Sequence, residues 1–259
     1  MKTHLGLRQL RVLAVAAAGV ASHCAAGTIV TVPPGLTPGS QYRLVYVTAD
    51  PYTATSSSIT DYNNDVNTEA AVSALAALGT TWLDIGSTAT VNAIDNIGID
   101  SGVPIYDLEG NLIANDAGTE AGGLIGSNPI FSPIMFTELG TYLYTLVWTG
   151  STWEGDTSAG SALGDPGDVI YGVDGLTNDH QWITAGFDSP SDGALNGLYG
   201  ISEVLTVPSA TPEPSTTAMV ILAGALTFFA RRRVHGSLAF FGLTRPVSGE
   251  RKERRHAKK

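Results

Sequence analysis

The charges of this chain are divided so unevenly that its middle is expected to form an acidic globular unit. Residues 27–214 contain 22 acidic residues and one basic residue, Arg43, which gives them a net charge of −21. The other 13 Lys and Arg residues lie near the two ends of the chain. Nucleic-acid binding depends on Lys and Arg side chains that displace counterions from phosphates, so the middle is excluded as a nucleic-acid-binding domain. Its 188 residues are enough to bury one hydrophobic core.

The first 26 residues have the order of a secretory signal peptide. Three cations precede the apolar run 12–21, and the small residues Ala25 and Ala26 follow it, which suits a signal peptidase. A run of about ten residues is too short to span a bilayer. We therefore predict that residues 1–26 are removed. The single cysteine, Cys24, leaves with them, so no disulfide framework is expected in the mature chain.

A second targeting segment lies near the C-terminal end. A Pro-rich linker, 208–215, leads into the apolar run 216–230, and the basic tail 231–259 follows. As a helix the 15 residues of this run rise about 22 Å, a short transmembrane helix that side chains at its ends can extend toward the headgroups. The cations that orient this helix are Arg231, Arg232 and Arg233. By the positive-inside rule the tail stays in the cytoplasm, so the acidic domain is expected outside.

The motif Pro212, Glu213 and Pro214 comes directly before this helix and its arginines. In that order, residues 211–233 resemble the PEP-CTERM sorting signal of Gram-negative bacteria. The resemblance implies insertion in the inner membrane, recognition of the motif by an exosortase, which is a membrane-embedded cysteine protease or transpeptidase, and delivery to the cell surface or exterior, often beside exopolysaccharide. Members of that family usually end soon after the arginines, whereas 26 further residues, 234–259, follow here.

The exported domain, 27–207, begins with the pattern of a strand and then a helix. Residues 42–48, YRLVYVT, place apolar side chains on both faces, which predicts a central strand that is covered on both sides. Apolar residues at helical spacing then predict one helix over 59–78, ending before a glycine. Ser58 and Asp61 have the spacing of a capping box at its start.

Beyond the helix, short apolar runs alternate with Gly, Asn, Asp and Pro, which is the pattern of strands and long loops. The predicted strands are 82–85, 103–106, 112–114, 142–148, 182–185 and 198–207. The turn residues 109–111 lie between two of them and predict a hairpin. The expected fold class is α+β, with one main helix and a twisted sheet with long loops.

Five short stretches of the exported domain occur in the order of a known domain type. They are YRLVYVT at 42–48, LGTTW at 78–82, VPIYDLEG at 103–110, VWTG at 147–150 and LYGI at 198–201. In this order they resemble C-type-lectin-like domains of the endostatin type. The resemblance implies one or two helices, a long irregular loop region, and termini on neighbouring strands. The disulfide cysteines of those domains are missing here, as are the Glu-Pro-Asn and Trp-Asn-Asp motifs that bind calcium and sugar, so the resemblance extends to the fold alone.

Groups for catalysis are scarce in the exported domain. It has one histidine, His180, and neither a cysteine nor a Gly-x-Ser-x-Gly nucleophile motif. A zinc site of three histidines cannot be built from this set. We therefore predict no catalytic residue and a function that is not enzymatic. A glycosidase needs only two carboxylates, so a secreted hydrolase acting on polysaccharide stays open as the alternative.

Four aspartates and one tryptophan are the candidate ligand contacts. Calcium prefers oxygen ligands, and loop carboxylates are offered by Asp165, Asp168, Asp188 and Asp192. A solvated acidic surface is the other interpretation of these residues, and no other cofactor is expected. Trp153 lies among Gly, Ser and Thr, which predicts exposure and a glycan contact, whereas the other three tryptophans lie in strand patterns. Together these features favour an exported, exosortase-sorted surface or extracellular-matrix protein, associated with exopolysaccharide in a structural or adhesive role.

Overall fold

The computed structural model describes residues 27–126, 129–178 and 180–209. The predicted signal peptide, the Pro-Glu-Pro motif, the transmembrane helix 216–230 and the basic tail lie outside these residues. Among the helices that are described, none combines the length and the apolar character needed to cross a membrane. The described residues form an α+β fold with few helices, as the sequence predicts.

The described part of the chain contains short helices and two sheets. The helices are α1 (Ile59–Ala71), α2 (Ala93–Ile97) and the 3-10 helices Ala74–Leu78 and Pro190–Asp192. The strands are β1 (Gln41–Val47), β2 (Trp82–Asp84), β3 (Ile105–Tyr106), β4 (Leu112–Ala114), β5 (Leu146–Trp148), β6 (Val169–Val173), β7 (Gly186–Asp188), β8 (Tyr199–Ser202) and β9 (Leu205–Thr206). The larger sheet has the order β2-β8-β1-β3-β4, with β9 also paired to β1, and the smaller sheet has the order β5-β6-β7.

Strand β1 is the centre of the larger sheet and of the core. It pairs parallel with β3 and antiparallel with β8 and β9, so the two ends of the domain lie on neighbouring strands. Val45 and Val47 lie in one apolar cluster. Tyr42, Leu44 and Tyr46 lie in the other, together with buried residues of α1. The prediction of a central strand covered on both sides is therefore confirmed.

The single helix predicted over 59–78 is wrong in its second half. Helix α1 ends at Ala71, and a separate 3-10 helix follows Ser73. The Ser73 hydroxyl accepts a hydrogen bond from Leu75 N at 3.1 Å. A serine that binds nearby backbone groups in this way competes with the α-helical hydrogen-bond pattern, which explains the break.

The predicted capping box is also wrong, although the helix begins where it was expected. Ser58 is the N-cap residue, but within the described residues its side chain makes no cap hydrogen bond. The Asp61 carboxylate instead accepts a hydrogen bond from Ser56 Oγ at 2.6 Å. Because Ser56 Oγ also accepts from Ser58 N at 3.1 Å, the preceding loop rather than Asp61 provides the acceptor for Ser58 N.

The strand predicted over 182–185 is wrong. Ile183 N and Thr184 N both donate to His180 O, at 2.9 and 2.8 Å, which makes this segment a turn. Strand β7 begins only at Gly186. The apolar run arises from side chains that are buried in a turn, and periodicity alone cannot distinguish such a short run from a strand.

The other predicted strands form, with changed bounds. The runs 82–85 and 112–114 are confirmed as β2 and β4, and the runs 103–106 and 142–148 form strands only in their later residues, as β3 and β5. The run 198–207 divides into β8 and β9. The hairpin between β3 and β4 is confirmed by their antiparallel pairing. Strands β6 and β7 and helix α2 have no counterpart in the sequence prediction.

Helix α1 covers the edge of β2 with two amide side chains that are one turn apart. Asn67 accepts a hydrogen bond from Trp82 N at 2.9 Å and donates one to Trp82 O at 2.5 Å. Asn63 accepts from Asp84 N at 2.7 Å, and Asn96 of α2 donates to Asp84 O at 2.8 Å. These amides take the place of a neighbouring strand, so the backbone of Trp82 and Asp84 is not free to pair with another chain.

Candidate functional site

Trp153 differs from the other tryptophans in its exposure. It is 38% exposed, whereas Trp82, Trp148 and Trp182 are at most 2% exposed. This is the division that the composition around each tryptophan predicts. The three buried rings contribute to the core, and the fourth is accessible to a ligand.

The loop that carries Trp153 has a fixed backbone. Thr152 N donates to Asp156 O at 2.9 Å, and Gly155 N donates to Thr152 O at 3.0 Å. Gly126 N donates to Trp153 O at 3.0 Å, which ties the loop to the rest of the domain. Gly155 has φ = 75°, and a Cβ there would lie 2.8 Å from a packed isoleucine, so the turn requires glycine. A ring presented by such a loop loses little entropy when a ligand binds.

His180 packs against Trp153. The centroids of the two rings are 5.2 Å apart, with 31° between their planes. His180 has φ = 65°, and its Nδ1 is buried without a hydrogen-bond partner among the described residues. His180, the one histidine of residues 27–207, thus supports an exposed aromatic ring. The sequence contains no signal for this contact, because the two residues lie far apart along the chain.

The loop that carries Trp153 borders a surface cavity of about 370 Å³. Its lining residues are Ile94, Thr119, Gly126, Trp153, Glu154 and Asp156. An indole offers an apolar face on which the C–H face of a sugar ring can stack, and the two carboxylates offer hydrogen-bond acceptors for hydroxyl or amine groups. The cavity therefore combines an apolar platform with acidic groups, an arrangement suited to a saccharide.

A second cavity, of about 260 Å³, lies beside Tyr142. Tyr142 is 64% exposed, and its ring meets Phe136 edge to face with the centroids 5.3 Å apart. Its hydroxyl donates to the Glu109 carboxylate, and this hydrogen bond raises the pKa of Tyr142 to about 12. The remaining lining residues are Asp107, Asn111, Ser132, Pro133 and Met135. Tyr142 lies in the run 142–148 that the sequence predicts as a strand, but it precedes β5, and no sequence pattern indicates this cavity.

Asp107 and Glu109 are two carboxylates of one cavity, which is the arrangement that the hydrolase alternative requires. Asp107 is 3% exposed, and burial raises its pKa. Its Oδ1 accepts from Glu109 N at 2.9 Å and Asn111 N at 2.8 Å, and its Oδ2 accepts from Asn111 Nδ2 at 2.8 Å. Both oxygens therefore close the β3–β4 turn, and this carboxylate is not placed to protonate a substrate.

Three further carboxylates with raised pKa values are buried. Burial raises the pKa of Glu138 to about 7 and that of Asp174 to about 6, and it raises the pKa of Asp84 well above its usual value. Each of these side chains has at least one buried oxygen without a hydrogen-bond partner among the described residues. All three are fully buried, so a polysaccharide cannot reach them without rearrangement of the fold.

The four aspartates proposed for calcium lie at the surface or are half-buried. Asp165 Oδ2 accepts from Ala162 N at 2.9 Å, and Asp188 Oδ1 accepts from Ser189 N at 2.8 Å. Asp168 and Asp192 are exposed. Over residues 27–126, 129–178 and 180–209, no group of three or more His, Cys, Asp or Glu side chains is placed to hold a metal ion.

Calcium binding stays a prediction with a direct test. If carboxylate and carbonyl oxygens of these loops bind calcium, millimolar calcium raises the melting temperature of the exported protein by mass action. The measurement is a thermal scan in calcium chloride and in sodium chloride at equal ionic strength. Equal midpoints would show that the salts act only by screening the −21 charge, which contradicts the calcium prediction.

The sorting motif residues and the three arginines that follow the apolar run lie outside the described residues, so their predicted roles rest on the sequence. No protein-family model matches the chain, and a search of curated proteins found no match.

Proposed function

We propose that the chain is an exported surface or extracellular-matrix protein, sorted by an exosortase, whose domain has a structural or adhesive role beside exopolysaccharide. The observation that carries this proposal is the order of segments along the sequence. A signal-peptide pattern, an acidic domain, Pro-Glu-Pro, a short apolar run and an arginine cluster follow one another. Each segment alone is weak evidence, whereas their order matches a route through the inner membrane to the exterior.

We assign the exported domain to the C-type-lectin-like type. Support comes from the pairing of β1 with β8 and β9, which brings the two ends of the domain together. Further support comes from the small number of helices and from the long loops between β4 and β8. The assignment concerns the fold, since the lectin calcium and sugar motifs are absent from the sequence.

Adhesion through the Trp153 cavity fits this domain better than hydrolysis. An exposed indole beside two carboxylates gives a binding surface, whereas a glycosidase needs an accessible carboxylic acid with a raised pKa. Most carboxylates of the described residues whose pKa is raised are buried. The exception is Asp65 on α1, which is half-buried and lines neither the Trp153 cavity nor the Tyr142 cavity. The geometry therefore supports the adhesive role.

Replacing Trp153 by Ala is expected to weaken the binding of the exported protein to exopolysaccharide by about tenfold, since stacking on an aromatic ring is lost. The free energy of unfolding should change by less than about 1 kcal/mol, because the ring is partly exposed. Sedimentation with purified matrix polysaccharide measures the first quantity, and urea unfolding measures the second.

Phe187→Ala is the matched control, because Phe187 is also an exposed aromatic residue, at 61%, and lies outside the Trp153 cavity. It should leave binding unchanged. If Trp153→Ala unfolds the domain instead, the indole is part of the core. If both variants bind like the parent protein, the adhesive role of the cavity is wrong.

Export is expected to end with cleavage near Pro212 to Pro214. The helix and arginines would hold the chain at one depth, and the rigid prolines would present extended backbone just outside the bilayer. The intact mass of the exported protein from a host with an exosortase should show a mature chain ending near residue 213. Neutral residues at Arg231, Arg232 and Arg233 should reduce this processing. A product that still ends at Lys259 and stays in the membrane would show a plain tail anchor instead.

A further inference from the structure

We propose that the polysaccharide bound at the Trp153 cavity is positively charged, as a polymer of amino sugars with free amines is. This inference rests on the proposed adhesive function and adds the chemical class of the partner. The protein surface carries a large excess of negative charge. Arg43 is the one Lys or Arg residue in 27–214, and it is 1% exposed.

A polymer of uronic acids would meet a repulsive field over this surface. The net charge of the segment is −21, and its single cation is engaged with backbone carbonyls and with Asp100. Like-charge juxtaposition slows association and raises the free energy of the complex, whereas opposite charges steer the partner toward the protein. Charge complementarity therefore selects a cationic or neutral polymer over an acidic one.

The groups within the cavity distinguish a cationic polymer from a neutral one. Glu154 and Asp156 can each form a hydrogen-bonded ion pair with a sugar ammonium, whereas a neutral N-acetyl group offers a single N–H donor and no charge. The Trp153 ring attracts the same ammonium through a cation–π interaction, in addition to stacking on the sugar ring. The aromatic ring and the carboxylates thus favour the same ligand, a hexosamine unit with a free amine.

The Tyr142 cavity repeats this combination of an exposed aromatic ring with carboxylates. Tyr142 supplies the exposed ring and Glu109 supplies the carboxylate, whereas Phe136 and Asp107 are buried beneath them. Both cavities therefore have an exposed aromatic residue and a carboxylate among their lining residues, which suits the same class of ligand.

Calorimetric titration of the exported protein with three oligosaccharides of equal length tests the inference. The probes are a glucosamine oligomer, its fully N-acetylated counterpart and a galacturonate oligomer, at a pH that keeps the amines protonated. The glucosamine oligomer should bind about tenfold more tightly than the N-acetylated one, with an affinity that falls as salt is added. The galacturonate oligomer should not bind, with or without calcium.

Variants distinguish binding at the Trp153 cavity from a diffuse electrostatic attraction to the whole protein surface. Trp153→Ala keeps the net charge and should lower the affinity for the glucosamine oligomer about tenfold. The pair Glu154→Gln and Asp156→Asn should remove the preference for free amines. The control pair Glu203→Gln and Asp50→Asn makes the same change in net charge at exposed residues that do not line this cavity, and should leave most of the preference in place.

The outcomes distinguish this inference from the proposed function. Equal affinity for the free and N-acetylated oligomers overturns the inference and leaves the adhesive function intact. Binding of galacturonate in the presence of calcium also overturns it, because the acidic domain would then bind acidic polymer through metal bridges. An unchanged affinity in Trp153→Ala, or an equal loss in both double variants, places the attraction outside the cavity. Failure of all three oligomers to bind overturns the inference, while sedimentation with purified matrix polysaccharide still decides the adhesive function.

Discussion

Replacing Glu138 by Gln is expected to raise the free energy of unfolding of the domain by about 1–2 kcal/mol at about pH 8. Glu138 is fully buried; its Oε2 accepts from Ala49 N at 3.0 Å, and its Oε1 has no partner among the described residues. Burial raises the pKa of this carboxyl from 4.5 to about 7, and each pKa unit is worth about 1.4 kcal/mol. The amide keeps the shape and the accepted hydrogen bond and carries no charge, but its NH2 group takes the place of the oxygen without a partner, which offsets part of this gain.

The same pKa shift determines whether the free energy of unfolding rises or falls with pH. The folded protein binds the Glu138 proton more tightly than the unfolded chain does. Between the unfolded value of 4.5 and the folded value of about 7, the folded state therefore holds more protons. The free energy of unfolding consequently falls as the pH rises through this window and is insensitive to this group above it. Asp174, whose pKa burial raises from 3.8 to about 6, adds a fall over a lower window.

Urea unfolding from about pH 5 to about pH 8 measures this dependence. The parent protein should lose stability across the range, and Glu138→Gln should lose much less. Glu154→Gln is the control, because it removes one negative charge at an exposed position and should not flatten the curve. A Glu138→Gln protein that is no more stable than the parent at the upper end of the range would contradict the raised pKa.

The parts of the fold that could be predicted are those in which local pattern and tertiary burial agree. Strand β1 was predictable because its alternate residues are apolar on both faces, and both faces are buried. The β3–β4 hairpin was predictable because its turn residues are typical of tight turns. The break after Ala71 was not, since it depends on Ser73 binding the backbone of Leu75, a choice that the apolar spacing does not record.

The candidate site was predictable only in part. Local composition distinguished the exposed Trp153 from the buried tryptophans, because Gly, Ser and Thr neighbours are typical of surface loops. The pairing of Trp153 with His180 and of Tyr142 with Glu109 joins loops that are distant in sequence, and no local pattern specifies such contacts. The acidic composition suggested a solvated surface, whereas Asp84, Glu138 and Asp174 are buried. The composition gives the number of charged residues but not their positions in the fold.

Arg43 joins three parts of the fold at the centre of the domain. Its Nε donates to Ser202 O of β8 at 2.6 Å, and its Nη1 donates to Ile97 O, the last residue of α2, at 2.9 Å. The same Nη1 lies 3.3 Å from the carboxylate of Asp100. The guanidinium thus satisfies carbonyls at the end of a strand and at the end of a helix, and both are groups that cost free energy when they are buried without partners.

Arg43→Met is therefore expected to lower the free energy of unfolding by about 3–5 kcal/mol, since hydrogen bonds from a charged donor are lost and buried carbonyls are left without partners. Arg43→Lys keeps the charge but not the planar fork that reaches β8 and α2 together, so it should recover less than half of the loss. Asp100→Asn, which removes only the ion pair with a 40% exposed carboxylate, should cost less than about 1 kcal/mol. Urea unfolding of the three variants at one pH gives all three values.

A loss in Asp100→Asn as large as that in Arg43→Met would show that the ion pair, rather than the bonds to backbone carbonyls, is the stabilising contact. If Arg43→Met instead cost less than about 1 kcal/mol, water would be replacing the guanidinium at both carbonyls, and the connection between β8 and α2 would not depend on this side chain.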